Sequence, residues 1–173
     1  MAHLPLKILV VCTGNSARSI IGEALFNAQP KERMRAFSAG AAPTGRVNPL
    51  ALETLSAHGL ATAGYASKSW SDFSRDDGPS LDLMVTVCDS AANEPCPYIP
   101  GAPAAVHWGV PDPAGIDQLD DARAAFEDVF TTFSARVAAA AALPLGDLDL
   151  AEIRTEFARI ADEIPHVPSR AGA

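Results

Sequence analysis

The first strong apolar signal is the unbroken run Ile8-Leu9-Val10-Val11, and it predicts a short strand over Lys7–Val11 that is buried on both faces. From Ser16 to Ala28 the apolar positions change to helical spacing, with Ile20, Ala24 and Leu25 on one face. Arg35–Ser38 reads as a second strand ending at Gly40, and Ala41–Val47 as a loop. Asn48 and Pro49 form an N-cap and first-turn pair for a helix through Leu50, Leu52, Leu55 and His58, which Gly59 stops. Ser67–Arg75 holds one helical turn, and a polar loop continues to Ser80. Leu81–Val87 and Ala104–His107 are the third and fourth strands, and Asp120–Leu143 is a long helix closing on an alanine run. Pro144–Gly146 breaks the chain. Asp147 or Asp149 can then cap a last helix, in which Leu150, Ile153, Phe157, Ile160 and Ile164 recur at alternating spacings of three and four until Pro165.

Strands that alternate with helices imply a parallel sheet. The expected fold is therefore α/β: a three-layer α/β/α arrangement around a central four-stranded parallel sheet, with an added C-terminal helix. Residues 5–143 form the domain. Residues 144–173 form a helical extension packed on that domain, or a contact between two copies, so monomer and homodimer are both open. In such sheets the functional crevice lies beyond the carboxyl ends of the strands. Cys12, Cys88 and Trp108–Asp112 each come just after a strand end, and three distant segments thus converge on one rim.

Composition narrows the partners. A net charge of −8 on 173 residues disfavours nucleic acid and anionic membrane. No apolar stretch reaches the length of a membrane span, and no cationic segment precedes a cleavable apolar core, so a cytoplasmic protein is expected. The three cysteines, Cys12, Cys88 and Cys96, cannot all pair at once, which reads as reactive thiols. Zinc is the alternative. The spacing of Cys88 and Cys96 is wrong for a zinc knuckle and only His107 stands nearby, so no metal is expected.

The chemistry centres on Cys12-Thr13-Gly14-Asn15-Ser16-Ala17-Arg18, with Ser19 next in the chain. A strand, a tight loop of small residues and a helix start gather backbone N–H groups around a tetrahedral oxyanion. A helix start also favours the thiolate form of a cysteine placed beside it. Arg18 is a planar fork of donors, able to hold two oxygens while Cys12 attacks the centre. A cysteine and an arginine at this spacing arise often by chance. The strand before them and the helix after them supply the context the chemistry requires.

This segment resembles the signature loop of the low-molecular-weight protein tyrosine phosphatase superfamily. Cys88-Asp89-Ser90-Ala91-Ala92-Asn93-Glu94-Pro95-Cys96-Pro97 and His107-Trp108-Gly109-Val110-Pro111-Asp112-Pro113-Ala114-Gly115 are similar to its arsenate reductases; Ser38-Ala39-Gly40 and Val47-Asn48-Pro49 match as well. The resemblance implies that Cys12 attacks arsenate, held by Thr13, Gly14, Asn15, Ser16, Ala17, Arg18 and Ser19, with Asp112 as general acid. It further implies that Cys88 attacks Cys12 to release arsenite, and that Cys96 then carries the disulfide outward to an external thiol reductant. Thioredoxin, glutaredoxin with glutathione and another low-molecular-weight thiol are all open as that reductant, since seven residues rather than the usual six separate Cys88 from Cys96. No bound cofactor is implied. Asn15, Glu23 and Ser38 match a monovalent-cation site of some relatives, but Trp70 stands where its completing aspartate is expected, so no cation is expected.

The expected function is thus reduction of arsenate to arsenite for arsenic detoxification. A phosphatase acting on tyrosine phosphate or a small phosphoester is the alternative. Pro113-Ala114-Gly115 offers no aromatic residue to sandwich a phosphotyrosine ring, which favours a small inorganic oxyanion. A non-catalytic oxyanion sensor is a third reading, set aside because nothing in the motif is missing. His107 and Trp108 read as packing residues.

Overall fold

The computed structural model describes residues 1–89 and 102–169. Four parallel strands form one sheet: β1 (Leu6–Cys12), β2 (Met34–Gly40), β3 (Leu83–Thr86) and β4 (Ala105–His107), in the order β2-β1-β3-β4. Four α-helices accompany them: α1 (Arg18–Asn27), α2 (Pro49–Ala57), α3 (Leu119–Ala142) and α4 (Leu150–Glu163). Short 3-10 turns at Trp70–Phe73 and Pro113–Gly115 complete the described elements.

The apolar run of β1 is buried on both sides, as a central parallel strand requires. Leu6, Ile8 and Val10 join the main core with residues of all four α-helices, among them Phe26, Leu55, Phe126, Phe133 and Phe157. Leu9 and Val11 join a smaller cluster with Ala39 and Met84, against which Phe37, Trp70 and Phe73 pack. Asn27, at the end of α1, donates to the Ala36 carbonyl and accepts from its amide at 2.9 and 2.8 Å, pinning the crossover to β2.

From β1 the chain moves to β2 on one side and later returns to β3 on the other. The order reverses between β1 and β3, and an open parallel sheet splays there to leave a crevice at its carboxyl end. Cys12 is the last residue of β1. Val87, just past β3, donates to the Val11 carbonyl at 2.9 Å, which sets Cys88 at the neighbouring strand end.

The last helix has its cap at Asp149: the carboxylate accepts from the Glu152 amide and the Glu152 side chain accepts from the Asp149 amide, both at 2.8 Å. Its stripe of Ile153, Phe157 and Ile160 is fully buried in the main core. Among the described residues no helix is long and apolar enough to cross a membrane.

Candidate active site

The loop after β1 is shaped by where its carbonyls go. Those of Cys12, Thr13, Gly14 and Ser16 accept from the amides of Ala41, Ala42, Thr44 and Asn48, and Ser67 Oγ also donates to Gly14. With the carbonyls turned outward, the amide edge faces the sulfur, as the Asn15 N–H shows by donating to Cys12 Sγ at 3.2 Å. Asn15 takes up a left-handed conformation at φ 44°, which asparagine tolerates better than most residues. The helical segment begins at Arg18 rather than Ser16 because residues 13–17 wrap the cradle.

Side chains brace this shape from below. Asn15 is fully buried; its Nδ2 donates to Ser19 Oγ at 2.8 Å and Ser38 Oγ at 2.9 Å, and its Oδ1 accepts from the Lys68 amide at 2.8 Å. Ser19 Oγ lies 3.0 Å from Cys12 Sγ, so a charge on sulfur finds both a hydroxyl and an amide. Ser38 donates onward to the Glu23 carboxylate. Helix α1 carries no side-chain cap, whereas α2, α3 and α4 are capped by Asn48, Gln118 and Asp149.

Glu23 faces Lys68, whose ammonium lies 3.9 Å from its carboxylate. Trp70 packs on the opposite sheet face beside Phe37 and Phe73, so Lys68 is the residue that meets Glu23. A monovalent cation does not fit a site where an ammonium already faces the carboxylate. Burial raises the Glu23 pKa above its ordinary 4.5, while the Ser38 hydrogen bond and the Lys68 charge pull it partly back. A raised carboxyl favours the folded state most below pH 4.5, and that contribution is lost as pH rises through the raised value. The melting temperature of the wild type is therefore expected to fall relative to Glu23→Gln as pH rises from 4.5; parallel melting profiles would contradict this.

Gly40 closes the cradle. It pairs with Cys12 at the end of the β1–β2 ladder. A Cβ there would lie 2.6 Å from the Thr13 carbonyl oxygen and 3.0 Å from the Asn15 amide. Gly40→Ala is expected to cost about 1–3 kcal/mol of stability and to weaken oxyanion binding about tenfold. Thermal melts and phosphate titration measure both effects. In the sequence, Ser38-Ala39-Gly40 reads as a strand end and as a segment matching the family pattern, but no local signal announces the contact.

Arg18 is 3% exposed despite its charge. Its Nη1 donates to the carbonyls of Val87 at 3.3 Å and Val110 at 3.1 Å, and its Nη2 lies 3.5 Å from Asp112 Oδ2. The guanidinium is thus fixed by the segments after β3 and β4, the two that carry Cys88 and Asp112. Asp112 is half exposed and also caps the adjoining 3-10 turn, accepting from the Ala114 amide at 3.1 Å. Cap and rim carboxylate are one residue here.

Cys12 is a free thiol, and Cys88, fully buried, is disulfide-bonded. Cys96 lies outside the described residues. Trp108 is buried, as expected of a packing residue, and His107 sits with its Nδ1 2.9 Å from Thr86 Oγ1. Burial, helped by the Arg136 charge, lowers the His107 pKa, against the pull of Asp89. The structure thus brings Cys12, Arg18, Asp112 and the Cys88 backbone to one rim. Sequence reasoning quoted Gly40 and Gly109 within matching segments without giving either a role, and did not single out Lys68 or Arg136. All four act through contacts more than a dozen residues away or through packing.

Residues 7–143 match the family described as low molecular weight phosphotyrosine protein phosphatase. An arsenate reductase of Staphylococcus epidermidis is 32% identical over 132 residues, covering 75% of this chain and 96% of the relative. A solved arsenate reductase from Archaeoglobus fulgidus superposes with a TM-score of 0.60 at 31% identity, covering 76% of this chain and 98% of that one. A thioredoxin-dependent arsenate reductase of Corynebacterium glutamicum shares the fold with a TM-score of 0.56 at 24% identity, over 80% of this chain and 61% of that one.

Proposed function

Because this chain belongs to the low molecular weight phosphotyrosine protein phosphatase family, we propose that it turns that family's oxyanion loop to redox work, as an arsenate reductase. The observation that carries the reading is a free Cys12 thiol in a braced anion cradle with a disulfide-bonded Cys88 at the adjoining strand end. Hydrolysis of a phosphoester has no use for a second thiol there. Relatives of 32% and 31% identity that are named arsenate reductases support the same choice.

Cys12 attacks arsenic(V) as thiolate, and one oxygen leaves as water with a proton from Asp112. The loop amides and Arg18 hold the remaining oxygens. Cys88 then attacks the Cys12 sulfur. The electron pair of the sulfur–arsenic bond passes to arsenic, arsenite departs, and a Cys12–Cys88 disulfide is left. Attack by Cys96 on Cys88 frees the Cys12 thiolate, and an external dithiol reduces the final disulfide. A disulfide on Cys88 beside a free Cys12 is the arrangement this relay reaches once Cys12 has been released.

The deciding experiment measures arsenate-dependent reductant consumption by the purified chain, in parallel with a thioredoxin system and with glutaredoxin plus glutathione. Arsenite formation in either arm supports the reading, and the faster arm identifies the donor. Brisk aryl phosphate hydrolysis with no arsenite in either arm would make the protein a phosphatase.

A further inference from the structure

The family match ends at residue 143, yet the chain beyond it reaches the back of the active site. The contact point is Trp108, which opens the segment running from β4 to Asp112. Its indole N–H donates to the Phe157 carbonyl of α4 at 2.8 Å, in a buried setting. Its ring packs against both Phe157 and Phe26, at centroid distances of 5.4 and 5.6 Å, and those two rings also stack on each other at 6.3 Å. Its carbonyl accepts from Arg136 Nη1 at 2.9 Å, and Arg136 Nε donates to the Ile164 carbonyl, also at 2.9 Å, where α4 ends. Trp108 is thus held by its ring, its N–H and its carbonyl, and the extension supplies a partner or an anchor for each.

Residues 109–112 carry this hold forward to the site. Gly109 lies so close to the segment after β3 that a Cβ would sit 2.7 Å from the Cys88 carbonyl. The Val110 carbonyl accepts from Arg18 at 3.1 Å, and two residues later Asp112 meets the same guanidinium. The stretch between Trp108 and Asp112 is short, so a rotation at the first is passed to the last.

We propose that α4 and the turn after it are a positioning element of the active site, clamping Trp108 from behind so that the Val110 carbonyl fixes Arg18 and the Asp112 carboxylate faces the departing oxygen. Trp108 and Arg136 are positioning residues: neither touches substrate. The proposal rests on the reading of Asp112 as general acid. Without the clamp the segment keeps its backbone bonds from the Trp108 amide to the Thr86 carbonyl and from the Val110 amide to the Val87 carbonyl, but loses the contacts that set the orientation of Trp108.

The test uses the full chain carrying Trp108→Phe, which keeps a stacking ring and removes the N–H. A misplaced acid harms substrates that need protonation of the leaving group and spares those that do not. The kcat/KM for phenyl phosphate, whose leaving group is poor, is expected to fall about tenfold or more, while kcat/KM for 4-nitrophenyl phosphate stays within about twofold. For arsenate, kcat is expected to fall about fivefold or more with KM within about twofold of the wild type. Leu55→Val trims the core under α2 and serves as a control for lost stability alone; its leaving-group dependence is expected to match the wild type. If Trp108→Phe slows both esters equally, or neither, the clamp is wrong. If the wild type turns over neither arsenate nor either ester, the reading of the site fails and the clamp with it.

Discussion

Replacement of Cys12 by serine is expected to abolish arsenate reduction and aryl phosphate hydrolysis together, each by about 10⁴-fold or more. Ser19 stands beside the sulfur, its Oγ 3.0 Å from Cys12 Sγ, and does not take the place of the thiol that forms the covalent bond to arsenic or phosphorus. A serine hydroxyl at position 12 meets an amide and a hydroxyl, neither of them a base strong enough to remove its proton. Binding should survive. The loop amides and Arg18 do not depend on sulfur, so phosphate or arsenate should still raise the melting temperature of the variant. Steady-state rates and oxyanion-dependent melts on one preparation test both halves. A variant that keeps turnover would remove Cys12 from the chemistry, whatever its position.

Cys88→Ser separates the two activities instead. Multiple-turnover arsenate reduction is expected to fall about 10³-fold or more, while aryl phosphate hydrolysis stays within about threefold of the wild type. The reason is electronic. Phosphoester hydrolysis ends when water attacks the Cys12 adduct, but arsenite leaves only when a second sulfur takes over the bond to Cys12. Quenched single-turnover reactions would show arsenate consumed into an adduct without arsenite. Arsenite release at the wild-type rate from Cys88→Ser would end the relay. Equal loss of both activities would mean instead that Cys88, which is fully buried, acts on the loop through packing.

The chain announces what is local and conceals what is distant. An unbroken apolar run marks β1 because a central parallel strand is covered on both faces. Asn48-Pro49 and Asp149 mark the starts of α2 and α4 because capping chemistry spans only three or four residues. The cysteine, the arginine and the loop between them are contiguous, and so the cradle is legible. Gly40 is not, because the Thr13 carbonyl that forbids its Cβ belongs to another strand end. Nothing in the sequence marks Lys68, because only the fold carries its ammonium to Glu23. Nothing local marks Arg136 either, yet it is 3% exposed and joins Trp108 to the end of α4. The amphipathic stripe of α4 announces burial but not the face it seeks, since the Trp108 N–H it receives comes from a residue 49 positions earlier.

The placement of Cys12 at the end of a strand flanked on both sides has a consequence for the newly made protein. The brace under its sulfur needs Ser38 from β2 and Lys68 from beyond α2, and its partner thiol lies just past β3, whose ladder with β1 joins residues such as Ile8 and Leu83. Pairings between segments so far apart in the chain form late, because their loop-closure entropy must be met before any contact rewards it. During synthesis Cys12 therefore stands on an unfinished chain, without the hydrogen bonds that brace its loop. On the proposed function, the cradle that starts the reaction is completed together with the sheet that brings in Cys88, so an unfinished molecule holds neither half of the relay.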